Sequence, residues 1–454
     1  MGDTGMGLNA QSRGWLCRSG IASDLPRKQN GARWRNGACL TARRALLLFL
    51  AGALGVAARA QEAIRMSLAG DSAVQSGANI SPDSYNLHVG DTLWRFVAGL
   101  GLSYDDNINL VASGRESDFI ISPRVDTSVL WPVTDHQSLS LSLGAGYSEY
   151  TEHSSYSRPF ITPNSGLSYN IFAGDFRINL HDRFSIDENS YLDPTVAGNG
   201  DLSEFQNSAG IGVLWDLNKL IVNVGYDHSD YVVLTGGQGE PNRTSDIFSA
   251  SAGYTLKPAM VAGLEAGGGL MHNSISIATA NSPFADVTQW NVGPFFQTRI
   301  TDYLQFSIHG GYAVSQSDAA GSASPATTSS GFYGLLNLNH RVNGFLDYTF
   351  SGGRSLNASL SGGFVDLYKA EISANWKIFL EMTLTTGFLY QNGTQLLTGL
   401  GESFDQYGPL VRLGRLITRK WSASLLYQHL QRDSDQPGRS YFLNDVTLEM
   451  SRQF

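Results

Sequence analysis

The chain has 454 residues, of which 16% are charged and 42% hydrophobic, and its formal net charge is −9. This acidic balance argues against nucleic acid as a partner, because a phosphate backbone needs a basic protein face. Mean hydropathy is −0.14, and no apolar run is long enough for a membrane-spanning helix. Composition therefore excludes a helical membrane protein but admits a β-barrel, in which lumen-facing residues dilute the lipid-facing ones.

The first 60 residues are predicted to be removed. The apolar segment Ala45–Ala58 follows two arginines and ends in a small-x-small pattern, which predicts a secretory signal peptide cleaved before Gln61. A buried apolar helix is the alternative, but it does not explain that ending. Residues 1–42 have no periodic pattern and indicate an over-extended start. Both cysteines lie there, so the mature chain lacks cysteine, as suits a protein that crosses an oxidising compartment unfolded.

The mature chain divides into a short lead-in and one long repetitive domain. Residues 61–91 are rich in Ser, Asn and Asp and predict an irregular periplasmic lead-in. Over residues 92–454, apolar and polar side chains alternate with the period of a β-strand. The clearest segment, Asp175–Glu188, has Phe176, Ile178 and Leu180 on one face, and Arg177, Asn179 and His181 on the other. A strand with this polar face needs water behind it.

Segment lengths and connections indicate the architecture. About eighteen segments of roughly 11–16 residues follow one another, about twice the length of ordinary soluble strands. Short connections, such as the hairpin signal Asn343-Gly344, alternate with long ones, such as 151–161, which is predicted as a loop before a strand at Thr162–Ala173. We therefore predict an all-β, transmembrane, antiparallel up-and-down barrel of about eighteen strands, with sixteen as the alternative and periplasmic termini. A soluble β-sandwich would not alternate its loop lengths in this way.

The last strand is typical of a barrel that is inserted from its C-terminus. Val446, Leu448, Met450 and the terminal Phe454 share one face, and they resemble the C-terminal insertion signal of bacterial outer-membrane barrels. Arg452 departs from that signal, which more often has an apolar residue there. This resemblance implies the barrel-assembly machinery as a partner and outer-membrane lipid as the surroundings.

No stretch carries a recognisable catalytic or cofactor site. Asp105-Asp106-Asn107 could offer oxygen ligands to a cation, but a solvated turn at a strand end is the better interpretation. Gly267-Gly268-Gly269 lies within a strand pattern and has no helix after it, so it is not a phosphate loop. The nine histidines are scattered without metal-ligand spacing, and His181 is expected to face lumen water. We therefore predict no metal, no cofactor and no enzymatic activity.

Charged residues on the polar face are the candidate pore lining. Their mixed signs require either a water-filled lumen or pairing, although any single one of them can simply stabilise the wall. Phe295 and Tyr333 also fall on this face, where they could stack sugars or fill space. The predicted lumen residues are Arg95, Arg124, Arg177, His181, Arg183, Glu265, Arg299, Arg341, Asp347 and Glu371.

The opening strand and its exit, Phe96-Val97-Ala98-Gly99-Leu100-Gly101-Leu102-Ser103-Tyr104-Asp105-Asp106-Asn107-Ile108, together with the repeated long hairpins and terminal Phe454, resemble one known family. This is the EpsL-like or beta-barrel porin 2 family of outer-membrane barrels. The resemblance implies a channel that exports an exopolysaccharide, with the glycan and periplasmic export components as partners. A general diffusion porin and a structural or adhesive outer-membrane protein with a plugged lumen are the alternatives.

Overall fold

A computed structural model describes most of the predicted barrel. The predicted leader, signal peptide and most of the lead-in lie outside the described residues, so those predictions stay open. The described residues are 85–187, 191, 193, 195–235, 241–274, 285–318, 326–359, 364–379, 381–396 and 401–454.

Twenty antiparallel strands form most of the described structure, and a 3₁₀ turn lies at Ser154–Tyr156. No helix in this part of the chain is long and apolar enough to cross a membrane. The strands are β1 (Leu87–Val89), β2 (Thr92–Asp105), β3 (Asp118–Thr134), β4 (Gln137–Tyr150), β5 (Arg158–Ile161), β6 (Gly166–Ala173), β7 (Phe176–Asp187), β8 (Ser203–Leu217), β9 (Leu220–Thr235), β10 (Asn242–Lys257), β11 (Met260–Ser274), β12 (Val287–Thr301), β13 (Leu304–Ser317), β14 (Thr327–Arg341), β15 (Leu346–Ala358), β16 (Phe364–Lys377), β17 (Met382–Leu396), β18 (Glu402–Leu416), β19 (Trp421–Ser434) and β20 (Tyr441–Gln453).

The sheet closes on itself because β20 pairs with both β19 and β2. Every other wall strand pairs with its neighbours in sequence, and β5 and β6 together fill one position between β4 and β7. The wall therefore has eighteen positions, which confirms the predicted antiparallel barrel. Closure satisfies the backbone hydrogen bonds of both end strands, which an open sheet in lipid could not do.

The position shared by β5 and β6 was only partly predicted. Residues 158–161 were expected in a loop, but they pair with β4, with Ile161 opposite Ala145. A short break follows, in which the Gly144 N–H donates to Ser165 Oγ (3.0 Å) and the Thr162 N–H donates to the Gly144 carbonyl (2.9 Å). Four residues interrupted by such a break are too few to show a period of two, so the alternation could not reveal them.

Strand β1 likewise departs from the predicted irregular lead-in. Leu87 lies opposite Trp94 on β2, and the Phe454 N–H donates to the Phe96 carbonyl (3.1 Å). Strand β1 therefore pairs with the edge of β2 beyond the point at which β20 ends. Three residues are too short a pattern to recognise from sequence.

Large apolar side chains stand exposed on one face of the wall, which we call the outer face. Among them are Val446, Leu448, Met450 and Phe454 of the predicted insertion signal, whose exposed fractions are 40–53%. The Arg452 guanidinium, the departure from that signal, lies 5.4 Å from the Trp421 ring centroid and 5.0 Å from that of Phe454. An arginine held between two rings keeps its charge beside aromatic surface, so it suits the edge of the apolar belt.

Connections differ at the two ends of the barrel. We call the end with the short turns and Phe454 the turn end, and the opposite end the loop end. The hairpin at Asn343-Gly344 is present, and neither residue has a positive φ. Instead, Asn343 Oδ1 accepts hydrogen bonds from the N–H groups of Phe345 (2.8 Å) and Leu346 (2.9 Å). The side chain, not a left-handed backbone, makes this turn.

We expect Val125→Arg to destabilise the barrel by about 2–4 kcal/mol, because an outer-face arginine near mid-height must lie in lipid. Val125 is 55% exposed and lies midway between Phe119 and Trp131 on β3. The measurement is urea unfolding of protein folded into lipid vesicles. The control is Gln305→Arg on β13, where the side chain lies on the face that does not meet lipid. It should change the free energy of unfolding little. Equal effects of both substitutions would contradict the assignment of the faces.

Candidate functional site

The face opposite the apolar one, which we call the inner face, carries most of the charged and amide side chains of the wall. All ten residues predicted to line the lumen lie on it. They are Arg95, Arg124, Arg177, His181, Arg183, Glu265, Arg299, Arg341, Asp347 and Glu371. Their surroundings change along the barrel from the turn end to the loop end.

Near the turn end, the inner face is exposed and basic. Five cations there, Arg177, Arg299, Arg341, Lys377 and Arg412, are exposed, and we call them the turn-end cations. Within the described residues, none of them has a carboxylate within ion-pair distance. Asp347 lies opposite Arg341 in register but accepts its hydrogen bond from Asn375 (3.2 Å). Lys377 and Arg412 were not among the predicted lumen residues, although the alternation of their strands places them with the others.

At mid-height two of the predicted charges, Arg124 and Glu371, are paired. Arg124 Nε lies 3.1 Å from Asp126, and a second guanidinium nitrogen contacts Glu449. Glu371 pairs with Lys369 at 3.0 Å. Arg95 and Arg183 are half-buried on the same face. Pairing is the expected state for charges that lie in a narrow space with little water.

Two histidines of the inner face are buried in hydrogen-bonded groups. His181 Nε2 lies 2.7 Å from Asp227 and Nδ1 lies 2.8 Å from Asn179 Oδ1, so the expectation that His181 faces water is wrong. His309 Nδ1 lies 2.7 Å from Glu265, which also accepts a hydrogen bond from the Tyr333 hydroxyl (3.0 Å). Neighbouring strands supplied the partners that the sequence pattern of a single strand could not show.

Phe295 and Tyr333 point inward, as their alternation predicts, but they are buried. The Phe295 ring stacks on His309 with centroids 5.7 Å apart. A side chain at Gly263 would collide with the Phe295 ring, so this glycine makes room for it. The two aromatics therefore fill space in the wall instead of offering exposed stacking surfaces.

At the loop end, the connection between β7 and β8 folds into the barrel. We call its described residues, 191, 193 and 195–202, the inward loop. Gln406 on β18 donates through Nε2 to the Tyr191 carbonyl (3.1 Å), and Arg439 donates to the Thr195 carbonyl (2.7 Å). Around the wall, even the shorter way from β7 to β18 runs through β6, β4, β3, β2, β20 and β19. The inward loop therefore crosses the lumen.

Apolar packing and further hydrogen bonds hold the inward loop in place. The Gly198 N–H donates to the Leu110 carbonyl (3.0 Å), and Arg158 donates to the Asp201 carbonyl (2.7 Å). A buried apolar cluster also joins the loop to the wall. Its members are Leu110, Val196, Leu202, Leu430, Tyr441 and Leu443. Leu430 and Leu443 are apolar on the inner face, a break in the pattern that could have predicted a covering segment.

The wall that receives the loop is itself fixed by a buried ion pair. Arg432, fully buried, donates to Glu402 (2.7 Å), and Arg439 donates to the other oxygen of the same carboxylate (2.8 Å). The Arg432 guanidinium lies 4.4 Å from the Phe404 ring centroid. Since removal of one partner would leave a buried charge, this geometry is strongly constrained.

Asp193 is the titratable group at the centre of the inward loop. Its Oδ1 accepts hydrogen bonds from the Thr195 N–H and hydroxyl, both 2.7 Å. Burial raises the pKa of Asp193 to about 6, and nearby Glu204 raises it as well. The Thr195 hydrogen bonds and Arg243 act in the opposite direction but are weaker.

The Asp105-Asp106-Asn107 segment is not the solvated turn that we expected. Asn107 is fully buried; its N–H donates to Asp105 Oδ1 (2.7 Å) and its Nδ2 donates to the Phe442 carbonyl (2.7 Å). The segment therefore joins the β2–β3 loop to β20. Over the described ranges, no group of three or more His, Cys, Asp and Glu side chains is placed to hold a metal ion.

We expect the inward loop to dock less firmly as the pH rises from about 4 to about 6. The docked loop binds the Asp193 proton more tightly than the free loop does, so protonation of Asp193 stabilises docking. This stabilisation is complete below the ordinary pKa of 3.8 and is lost as the pH rises through about 6. Ion conductance through bilayer-reconstituted protein should rise over this range, and Asp193→Asn should flatten the rise. The control, Asp135→Asn in a turn, should leave it unchanged. An undiminished rise in Asp193→Asn would contradict the assignment.

Comparison with known proteins identifies the family. No curated protein matches the chain. Solved structures with a similar arrangement include OccAB3 of Acinetobacter baumannii (10% identity, TM-score 0.45, covering 81% of this chain and 100% of that one) and OccK2 (OpdF) of Pseudomonas aeruginosa (9%, 0.46, 81% and 98%). A BenF-like porin from Pseudomonas fluorescens Pf-5 is similar too (8%, 0.44, 80% and 99%). These likenesses are too distant to carry a functional argument.

The match to a family model is more informative. The model described as "Putative beta-barrel porin 2" matches residues 87–454, which is the whole barrel. This agrees with the resemblance noted in the sequence, whereas no match connects the chain with exopolysaccharide. The chain belongs to this family and is a β-barrel porin of the cell outer membrane.

Proposed function

We propose that this porin is a non-enzymatic channel for the diffusion of small hydrophilic solutes into the periplasm, with a preference for anions. The observation that supports it most is the set of turn-end cations, which are exposed and unpaired on the inner face among the described residues. With the termini in the periplasm, this basic ring surrounds the periplasmic mouth. Eight of the ten predicted lumen residues are exposed or half-buried on this face and are proposed as pore lining: Arg95, Arg124, Arg177, Arg183, Arg299, Arg341, Asp347 and Glu371. The other two, His181 and Glu265, are buried in the wall.

A ring of unpaired cations favours anions for a simple electrostatic reason. Fixed charges of one sign in a confined, low-dielectric passage focus their field, raising the local concentration of oppositely charged solutes. Paired charges, such as those of Arg124 and Glu371 at mid-height, largely cancel at a distance. The selectivity is therefore expected to arise at the turn end, where no carboxylate balances Arg177 or Arg299.

The inward loop supports passage of small solutes. It crosses the lumen and is hydrogen-bonded to β18 and to the β19–β20 connection. An eighteen-position barrel without such a loop would have a wide bore. With the loop docked, only the space beside it is open to solutes, so a size limit follows.

Export of an acidic exopolysaccharide is the second candidate. Cations at the periplasmic mouth would also attract a polyanion from the periplasm, which is where a polysaccharide would enter an export channel. The docked inward loop argues against export, because a polymer would have to pass the part of the lumen in which the loop lies. Periplasmic export components, the barrel-assembly machinery and a plugged, structural role all remain predictions.

We expect purified, bilayer-reconstituted protein to show an anion-selective reversal potential in a KCl gradient. Replacing Arg299, Arg341 and Lys377 with glutamine should reduce the anion-to-cation permeability ratio several-fold, because the ring then loses most of its charge. The control is Arg415→Gln, which lies on the other face of β18.

Three outcomes would decide between the candidates. Cation selectivity, or a permeability ratio unaffected by the triple substitution, would contradict the anion preference. An absence of conductance would favour the plugged, structural role. Block by an acidic polysaccharide added on the periplasmic side, without block by small sugars, would favour export.

A further inference from the structure

A second element leans over the inner face at the loop end. We call Leu356, Asn357, Phe364 and Val365, at the loop end of β15 and β16, the β15–β16 tip. Phe364 is fully buried and packs with Leu356 in a cluster that contains Met271 of β11 and Val287 of β12. Strands β13 and β14 lie between these two regions of the wall. The tip therefore bends inward and reaches across the two intervening strands.

The tip is hydrogen-bonded to a polar patch on the inner face of β10–β13. Gln289 donates through Nε2 to the Leu356 carbonyl (2.6 Å), while its Oε1 has no partner. Besides Arg243 of β10, whose guanidinium pairs with Glu204, three more side chains on these strands have a buried polar atom that lacks a hydrogen-bond partner. We call the four together the polar patch: Ser249 Oγ, Gln289 Oε1, Asn291 Oδ1 and Ser315 Oγ, in residues that are 0–6% exposed.

Register places the members of the polar patch side by side. Gln289 lies directly opposite Ser315. Ser249 and Asn291 both lie opposite Gly267, one from each side. Because glycine has no side chain, nothing from β11 separates Ser249 from Asn291 at this level. This gives a role to one glycine of the Gly267-Gly268-Gly269 run.

The free atom of Asn291 is fixed by a network beneath it. The Asn291 side chain hydrogen-bonds with the Tyr333 hydroxyl, which in turn donates to Glu265 Oε1 (3.0 Å). Glu265 Oε2 lies 2.7 Å from His309 Nδ1. Because the side-chain nitrogen of Asn291 donates to the Tyr333 hydroxyl, its side-chain oxygen, Oδ1, is left without a partner at the surface of the patch. Such a positioned, unpartnered acceptor is typical of a recognition site.

We propose that the polar patch is a binding site for a polyhydroxylated solute of the sugar class, with the β15–β16 tip as its cover. Two hydroxyls that donate and accept, beside two amide oxygens that accept, match the groups of a sugar ring. None of the four side chains is charged, so the patch recognises hydroxyl groups and not charge. While the tip covers the patch, the four polar atoms have no hydrogen-bond partners. A bound solute would supply those partners. The site rests on the proposed function only in needing a lumen that solutes can enter.

The test is calorimetric titration of the detergent-solubilised full barrel with glucose, and with cyclohexanone as a neutral probe of similar ring size without hydroxyls. Glucose should bind and cyclohexanone should not. Asn291→Ala combined with Ser315→Ala should weaken glucose binding about tenfold, as expected for two lost hydrogen bonds. The matched control is Ser128→Ala, a buried inner-face serine of β3 on the far side of the barrel.

A second variant acts in the opposite direction. Phe364→Ala removes the largest side chain of the cover, so glucose should bind more tightly to it, provided that the cover competes with the solute. Glucose binding by this variant tests the proposal even if the double variant does not fold. Folding of each variant is checked by whether its barrel resists unfolding in detergent.

The outcomes separate this inference from the proposed function. Absence of glucose binding in a conducting channel, or equal binding by wild type and the double variant, would overturn the site but not the channel. Glucose binding that the variants alter as expected, in a protein that does not conduct, would overturn the channel but not the site. Tighter binding of cyclohexanone than of glucose would also overturn the site.

Discussion

The constraint on which the whole structure depends is the pairing of backbone hydrogen bonds within lipid. A bilayer offers no water to an unpaired N–H or C=O group, so a sheet that crosses it must have no free edge. Here the ends of the chain meet this demand, since β20 pairs with β2 from Gln453 to Asp445. Strand β1 then fills the position below Phe454. Closure fixes which face of every strand meets lipid and which encloses the lumen.

Once the wall is closed, its inner face decides what can pass. Free cations at the turn end, paired charges at mid-height and buried networks at the loop end form a gradient along the barrel. Two elements from the loop end, the inward loop and the β15–β16 tip, fold into the space that an eighteen-position wall would otherwise leave open. The Arg432–Glu402–Arg439 group fixes the wall that receives the loop. In the proposed function, solute size and charge are thus selected at opposite ends of the same passage.

Much of this architecture could be predicted from the sequence because a strand has only two faces. Alternation alone placed Val446 outward and Arg299 inward, and the number of long segments predicted the number of wall positions. What alternation cannot show is how far a residue lies from water. His181 and Phe295 have the predicted direction, yet partners on neighbouring strands bury them. The break within residues 158–166 and the three-residue β1 are too short to have a period.

The loops were beyond prediction for a different reason. Their conformation depends on contacts with distant residues, such as that of Thr195 with Arg439, and such contacts leave no periodic pattern. The apolar inner-face residues Leu430 and Leu443 were the one trace of the inward loop in the sequence. Asn343 shows the limit of turn rules as well, since its side chain forms the hairpin without the positive φ that the dipeptide suggests.

The selection of solutes by size depends on an inward loop that crosses the lumen to β18. Cross-linking in intact outer membranes tests this position directly, using Tyr191→Cys with Gln406→Cys and a short bifunctional thiol reagent. We expect an efficient intramolecular cross-link that lowers ion conductance little, because the loop already lies there. No cross-link, together with rapid labelling of the cysteine at position 191 by a membrane-impermeant reagent from outside the cell, would contradict it.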